Sequence, residues 1–252
     1  MSVIKALVLR TAGTNCDQET AEALRLAGAQ PEILHIHQLF SGVRSLEEFQ
    51  LLVIPGGFSY GDDVGAGKIL ANELRFRLGP AMDKFIAEGK RVIGICNGFQ
   101  VLVKTGFLPG GSGGLQTATL ASNDSGEFQC HWVRLKREKS ACRWLNTTAI
   151  SWELPIAHGE GKFIPLDAKT LATLERKGQV VFRYDGSNPN GSVHAIAGIC
   201  NPQGNVVGLM PHPERHAVRT QHPEWTRRMD TGKEAPVGLQ FFQAAVRAEG
   251  KI

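Results

Sequence analysis

Short unbroken apolar runs, each closed by turn residues, punctuate the first part of this chain. Ile4 to Leu9, Glu32 to Ile36, Leu51 to Ile54 and Arg91 to Ile95 are too short for helices and read as strands, the last of them buried. The stretches between them change period. Gln18 to Ala27 is amphipathic and stops at Gly28, Ala66 to Glu88 reads as a long helix with a break near Gly79-Pro80, and Asn97 to Lys104 reads as a short one. Strand alternating with helix at this spacing predicts an α/β fold, a mostly parallel sheet with helices on both faces.

From about residue 115 to 165 the runs shorten and alternate: Gln116 to Ala121, Phe128 to Leu135 and Ile150 to Ile156. They predict a small antiparallel extension, so residues 1–252 are expected to form one domain. A glycine-rich loop, Gly106 to Gly114, precedes it. A helix over Ala168 to Lys177, a strand over Val180 to Tyr184 and a turn at Asp185 to Gly191 follow. Val193 to Ile199 and Asn205 to Met210 then read as a hairpin around Gln203-Gly204.

Composition narrows the function classes. With 252 residues, 42% hydrophobic and 21% charged, the chain can bury a sizeable core and remain soluble. The net charge of +4 is spread out, and the densest basic cluster, Lys136-Arg137-Glu138-Lys139, contains an acid. It reads as a solvated hairpin end, so no nucleic-acid partner is expected. No apolar run reaches the roughly 18 residues of a membrane span. The N-terminus carries no signal-peptide cleavage site before its first strand. Five cysteines without Cys-x-x-Cys spacing point to a reducing, cytoplasmic setting with neither disulfides nor zinc. His35-x-His37 lacks a third ligand, so no metal site is expected there.

Candidate chemistry collects at strand ends. Gly94-Ile-Cys96-Asn-Gly98 joins a strand to a helix and has the form of a nucleophile elbow with cysteine in place of serine. The new helix's N–H groups would favour the thiolate at Cys96. On its own the motif also fits a small buried cysteine in a turn. Gly56-Gly57 closes the third strand, and backbone N–H groups there and on Asn97 could form an oxyanion hole. Gly56, Phe58 and Gln100 are the candidate substrate contacts. At the end of the last hairpin, His212-Pro213-Glu214 offers a base and a carboxylate to orient it, with Pro213 stiffening the link. Cysteine, histidine and glutamate would complete an acyl-transfer site. The α/β-hydrolases place the acid before the histidine, so this order points elsewhere. Gly61 to Ile69 fails as a phosphate loop: Asp62 stands where the first glycine is needed and Ile69 where a hydroxyl would hold magnesium.

The cysteine elbow with a distant His212-Pro-Glu214 resembles the class I (triad) glutamine amidotransferases. Further stretches are similar to one branch, the glutaminase subunits of phosphoribosylformylglycinamidine synthases in purine biosynthesis. They are Gly13-Thr-Asn-Cys-Asp17, Pro55-Gly-Gly-Phe-Ser-Tyr-Gly-Asp62, Gly94 to Gln100, Pro155-Ile-Ala-His-Gly-Glu160, Asn188-Pro-Asn-Gly-Ser192 and Met210 to Arg215. The resemblance spans nearly the whole chain and implies a flavodoxin-like amidotransferase fold. It also implies hydrolysis of glutamine to glutamate and ammonia, with no cofactor in this chain. ATP and magnesium would belong to a synthetase partner that takes the ammonia, and the resemblance also implies a small accessory subunit. Two stretches depart from the pattern: Asp63-Val64-Gly65 replaces a usual Leu-Arg, and a long polar stretch runs from His216 to Val237. An amidotransferase of another pathway and a non-catalytic partner-binding domain are the alternatives.

Overall fold

A computed structural model describes residues 3–110, 115–227 and 234–247. In chain order its elements begin β1 (Lys5–Arg10), α1 (Asp17–Leu26), β2 (Gln30–His35), α2 (Ile36–Phe40), β3 (Leu51–Ile54), α3 (Lys68–Arg77), α4 (Gly79–Ala87), β4 (Arg91–Ile95) and α5 (Asn97–Lys104). They continue with β5 (Ala118–Ala121), β6 (Gln129–Arg137), β7 (Ser151–His158), β8 (Lys162–Pro165), α6 (Ala168–Arg176), β9 (Val180–Tyr184), β10 (Ile196–Cys200), β11 (Val206–Leu209) and α7 (Val237–Val246). The main sheet runs β2-β1-β3-β4-β11-β10-β9-β6-β7. Its first five strands pair in parallel. From β11 onward the pairing is antiparallel. β5 and β8 form a separate antiparallel pair.

The inner parallel strands are apolar on both faces because helices cover both sides, and β3 is buried at every position, whereas the edge strand β2 is only partly covered. α5 contributes Val101, Leu102 and Val103 to the core, and Phe99 lies nearly parallel to Phe163 of β8 at 6.5 Å. On the antiparallel side Trp152, Phe182 and Phe241 make edge contacts, with ring centres 4.9 and 6.3 Å apart. One continuous apolar core joins the two halves.

Several expectations shift. The second strand ends at His35, because that side chain accepts the His37 N–H at 3.3 Å and starts α2. Ala66 to Glu88 divides into α3 and α4 at the expected Gly79-Pro80 break. Val193 to Ala195 form a 3-10 turn rather than the start of a strand. The expected antiparallel extension is present: β6 and β7 continue the main sheet in antiparallel pairing, while β5 and β8 form a separate two-stranded sheet. β8 and α7 were not expected. Of the glycine-rich loop, residues 111–114 lie outside the described residues, as do 228–233 of the long polar stretch.

β7 is the far edge of the sheet, yet its Pro155 carbonyl accepts the N–H of His212, just past β11, at 2.9 Å. The antiparallel half therefore curls back across the carboxyl ends of β4 and β11. That places β7 over the turn after β4.

Candidate active site

Cys96 sits in that turn with φ 52° and ψ −107°, a conformation that costs a non-glycine residue roughly 1–3 kcal/mol. The surroundings hold it. Its N–H donates to the Leu209 carbonyl at 2.8 Å, and its own carbonyl accepts from Phe99 and Gln100 at 3.0 and 3.1 Å as α5 begins. The flanking glycines are required by contact. A β-carbon on Gly98 would lie 1.9 Å from the Ile54 oxygen of β3, and one on Gly94 would lie 2.5 Å from the Gly98 oxygen. The Cys96 side chain is buried, and its thiol donates to the Ala157 carbonyl of β7 at 3.5 Å.

His212 and Glu214 follow β11, the strand beside β4. A 3-10 turn over Pro213–His216 folds the carboxylate back onto the preceding imidazole, bringing Nδ1 of His212 within 2.5 Å of Oε1 of Glu214. Both side chains are buried. Burial opposes charge on His212, but Glu214 and then Cys96 outweigh it and hold its pKa well above the usual imidazole range. With Nδ1 committed to Glu214, Nε2 is the nitrogen left for the thiol, and it has no protein partner among the described residues.

The proposed oxyanion donors lie on two neighbouring strand ends. Gly57 has φ 144° and is bridged to Thr14. The bonds of that bridge use the neighbouring groups, Phe58 N–H to the Gly13 carbonyl at 2.9 Å and Asn15 N–H to the Gly56 carbonyl at 3.4 Å, so it leaves the Gly57 N–H unused. Asn97 ties this loop to α5: its Oδ1 accepts the Ser59 N–H at 3.2 Å, and its Nδ2 donates to Asp62 and Gln100 at 3.1 and 3.0 Å.

A cavity of about 230 Å³ opens beside Cys96, lined by Gly57, Phe58, Asp62, Gln100, His158 and Glu160 among others. Phe58 forms its rim, 47% exposed, with its ring 6.5 Å from Phe128. Gln100 donates to the Glu160 carbonyl at 2.6 Å, which fixes the cavity floor to the loop after β7. Gly56 does not line this cavity; it lies behind it, against His212. Asp63-Val64-Gly65 form a turn with Val64 70% exposed.

Three features escaped sequence reasoning. Cys16 lies 4.0 Å from Nδ1 of His212 and accepts from Arg215 Nη2 at 3.1 Å. Burial pushes its thiol pKa up. Its motif was visible, but nothing local tied it to the histidine. His158, at the end of β7, and Asp62, in the 3-10 turn after β3, line the cavity, again through motifs with no spacing signal. The polar stretch after Arg215 leads into α7, where a β-carbon on Gly238 would lie 2.0 Å from the Pro213 oxygen. α7 therefore packs directly on the turn that carries Glu214.

Residues 3–247 match the CobB/CobQ-like glutamine amidotransferase domain. The chain belongs to this glutamine amidotransferase family. The amidotransferase is 43% identical over 256 residues to the phosphoribosylformylglycinamidine synthase subunit PurQ of Dehalococcoides mccartyi, with 98% of each chain covered. It is 46% identical over 239 residues to the PurQ subunit of Treponema denticola, covering 85% of this chain and 88% of the relative. A chain of the Thermotoga maritima PurLQS structure superposes on it with TM-score 0.76 and 32% identity, covering 97% of this chain and 98% of that one. A glutamine amidotransferase from the same organism, 17% identical with TM-score 0.57 and covering 98% and 97% of the two chains, shares the fold. Among the described residues, no helix of the amidotransferase is long and apolar enough to cross a membrane.

Proposed function

We propose that this amidotransferase is the glutaminase subunit of a phosphoribosylformylglycinamidine synthase, working in the cytoplasm through Cys96, His212 and Glu214. The observation that carries the chemistry is the 2.5 Å His212–Glu214 contact beside a cysteine in a strained elbow. The pathway rests on the PurQ relatives and the PurLQS neighbour.

Thiol proton transfer to Nε2 of His212 frees the Cys96 sulfur to attack the glutamine carboxamide carbon. N–H groups of Gly57 and Asn97 receive the oxyanion. Glu214 holds the imidazole by Nδ1 and stabilises the imidazolium. The imidazolium returns its proton to the leaving nitrogen, the carbon–nitrogen bond breaks, and ammonia departs from a γ-glutamyl thioester. Water, deprotonated by His212, then releases glutamate. Phe58 and Gln100 border the bound substrate. The carboxylates of Asp62 and Glu160 suit its α-ammonium. Ammonia passes to a synthetase subunit that holds ATP and magnesium. In the assembled complex, Cys96→Ala should abolish amidine synthesis from glutamine while leaving synthesis from added ammonium intact. Loss of both, or of neither, would refute this reading.

A further inference from the structure

One buried amide joins the walls of the cavity beside Cys96. Asn97, the first residue of α5, is 3% exposed, and its neighbours fix which end of the amide points where. Oδ1 must be the end that meets the Ser59 N–H at 3.2 Å, because that partner can only donate. Nδ2 must be the end that meets Oδ1 of Asp62 at 3.1 Å and Oε1 of Gln100 at 3.0 Å, so both amide hydrogens are used. The Asp62 oxygen also accepts the Gly67 N–H at 2.9 Å. Gln100 passes the link on, donating Nε2 to the Glu160 carbonyl at 2.6 Å. The amide therefore joins the loop after β3 to α5 and, through Gln100, to the loop after β7.

The loop after β3 needs such a hold. Tyr60 and Asp62 have φ of 56° and 55°, values that persist in non-glycine residues only where the surroundings impose them. The N–H groups of the loop alternate in direction. Those of Phe58 and Tyr60 donate to the Gly13 and Ala12 carbonyls at 2.9 and 2.8 Å, in the loop after β1. That of Ser59, between them, turns the other way, to Asn97. Ser59 lies two residues past Gly57, whose N–H the Thr14 bridge leaves unused. The place of that N–H relative to Cys96 is thus set from one side by the loop after β1 and from the other by the Asn97 amide.

Resting on the glutaminase reading, we propose that the Asn97 side chain is a positioning group: it holds the loop after β3 against the elbow so that the Gly57 N–H meets the oxyanion formed at Cys96. The side chain acts through its neighbours, whereas the backbone N–H of the same residue is itself an oxyanion donor. A substitution at Asn97 keeps that backbone donor and releases the loop. What it removes is the placement of one donor, with the Cys96 sulfur and the His212 base left where they are.

The test pairs glutamine turnover with alkylation of Cys96 by iodoacetamide, followed by peptide mapping, in the complex with the synthetase subunit. Iodoacetamide forms a sulfur–carbon bond as iodide leaves, so it needs the thiolate but builds no oxyanion. Asn97→Leu, close in size, removes the amide. It should lower kcat for glutamine about 10²-fold, the low end of the cost of one oxyanion donor, while Cys96 is alkylated at nearly the unaltered rate. Asn97→Asp keeps the acceptor for Ser59 but sets a carboxylate against Asp62. Burial already raises the Asp62 pKa, with Glu160 adding to the rise and Lys104 opposing it. A proton shared between the two carboxylates restores the donor, so the kcat of Asn97→Asp relative to the unaltered chain should rise as pH falls from about 8 to about 6. Unchanged kcat in Asn97→Leu, an equal fall in its turnover and alkylation, or a flat ratio in Asn97→Asp would each overturn the positioning role and leave the Cys96 chemistry standing. An unaltered complex that releases no glutamate from glutamine would instead overturn the glutaminase reading.

Discussion

Gly56 makes room for the ring of His212: a β-carbon there would lie 2.8 Å from Cε1 of the imidazole and 3.1 Å from the Cys16 sulfur. The ring cannot yield easily, since Glu214 holds its Nδ1 and the residue is buried. Gly56→Ala is therefore expected to displace the base by a fraction of an ångström. The expected outcome is a clear fall in kcat for glutamine, smaller than the roughly 10²-fold cost of a full 1 Å displacement. Loss of stability from overpacking should stay within roughly 1–3 kcal/mol. Steady-state kinetics alongside thermal unfolding would separate the two, and near-normal kcat in a folded variant would contradict the contact.

Two cysteines neighbour one histidine, and only one should react. A glutamine-like electrophile is expected to modify Cys96, which borders the cavity, and to spare Cys16, which is fully buried with its thiol pKa raised. Peptide mapping of the labelled protein decides it. Modification of Cys16 at a comparable rate would reassign the nucleophile.

The triad should rank in order of contact with the reaction. His212→Ala is expected to cost nearly as much as Cys96→Ala, because base and nucleophile act as a unit. Glu214→Gln should cost less, up to about 10⁴-fold, since Glu214 acts through the imidazole. Its removal also lowers the His212 pKa, because the carboxylate is the leading group that raises it. The pH profile of Glu214→Gln should shift with it, and an unchanged profile would argue against the pairing.

His158 links stability to pH with a definite sign. Its folded pKa is about 4, against about 6.5 in an unfolded chain. Between these values the unfolded state binds a proton that the folded state does not, so stability is lost as pH falls through this window. The contribution is on the order of 3 kcal/mol across the whole window. His212, with a raised pKa, has the opposite sign and loses its contribution as pH rises. Denaturant unfolding from about pH 7 down to about pH 4.5 should show a shallower decline for His158→Gln than for the unaltered chain. Parallel curves would mean that His158 is not held neutral.

Much of this protein was determined locally. Short apolar runs bounded by glycine and proline specify the parallel strands, since a strand covered on both faces has no polar face to show. The Gly94–Gly98 elbow and the His212–Glu214 pair are also local, because their geometry arises within a few residues. The tertiary structure decided what lies side by side. Only the curl of the sheet carries β7 over the elbow, bringing the Ala157 carbonyl to Cys96 and His158 to its cavity. Only long-range packing sets Cys16 against His212 and α7 against Pro213. Periodicity records which face of an element is buried. It carries no record of which distant element does the burying, and here that choice sets the surroundings of Cys96 and His212.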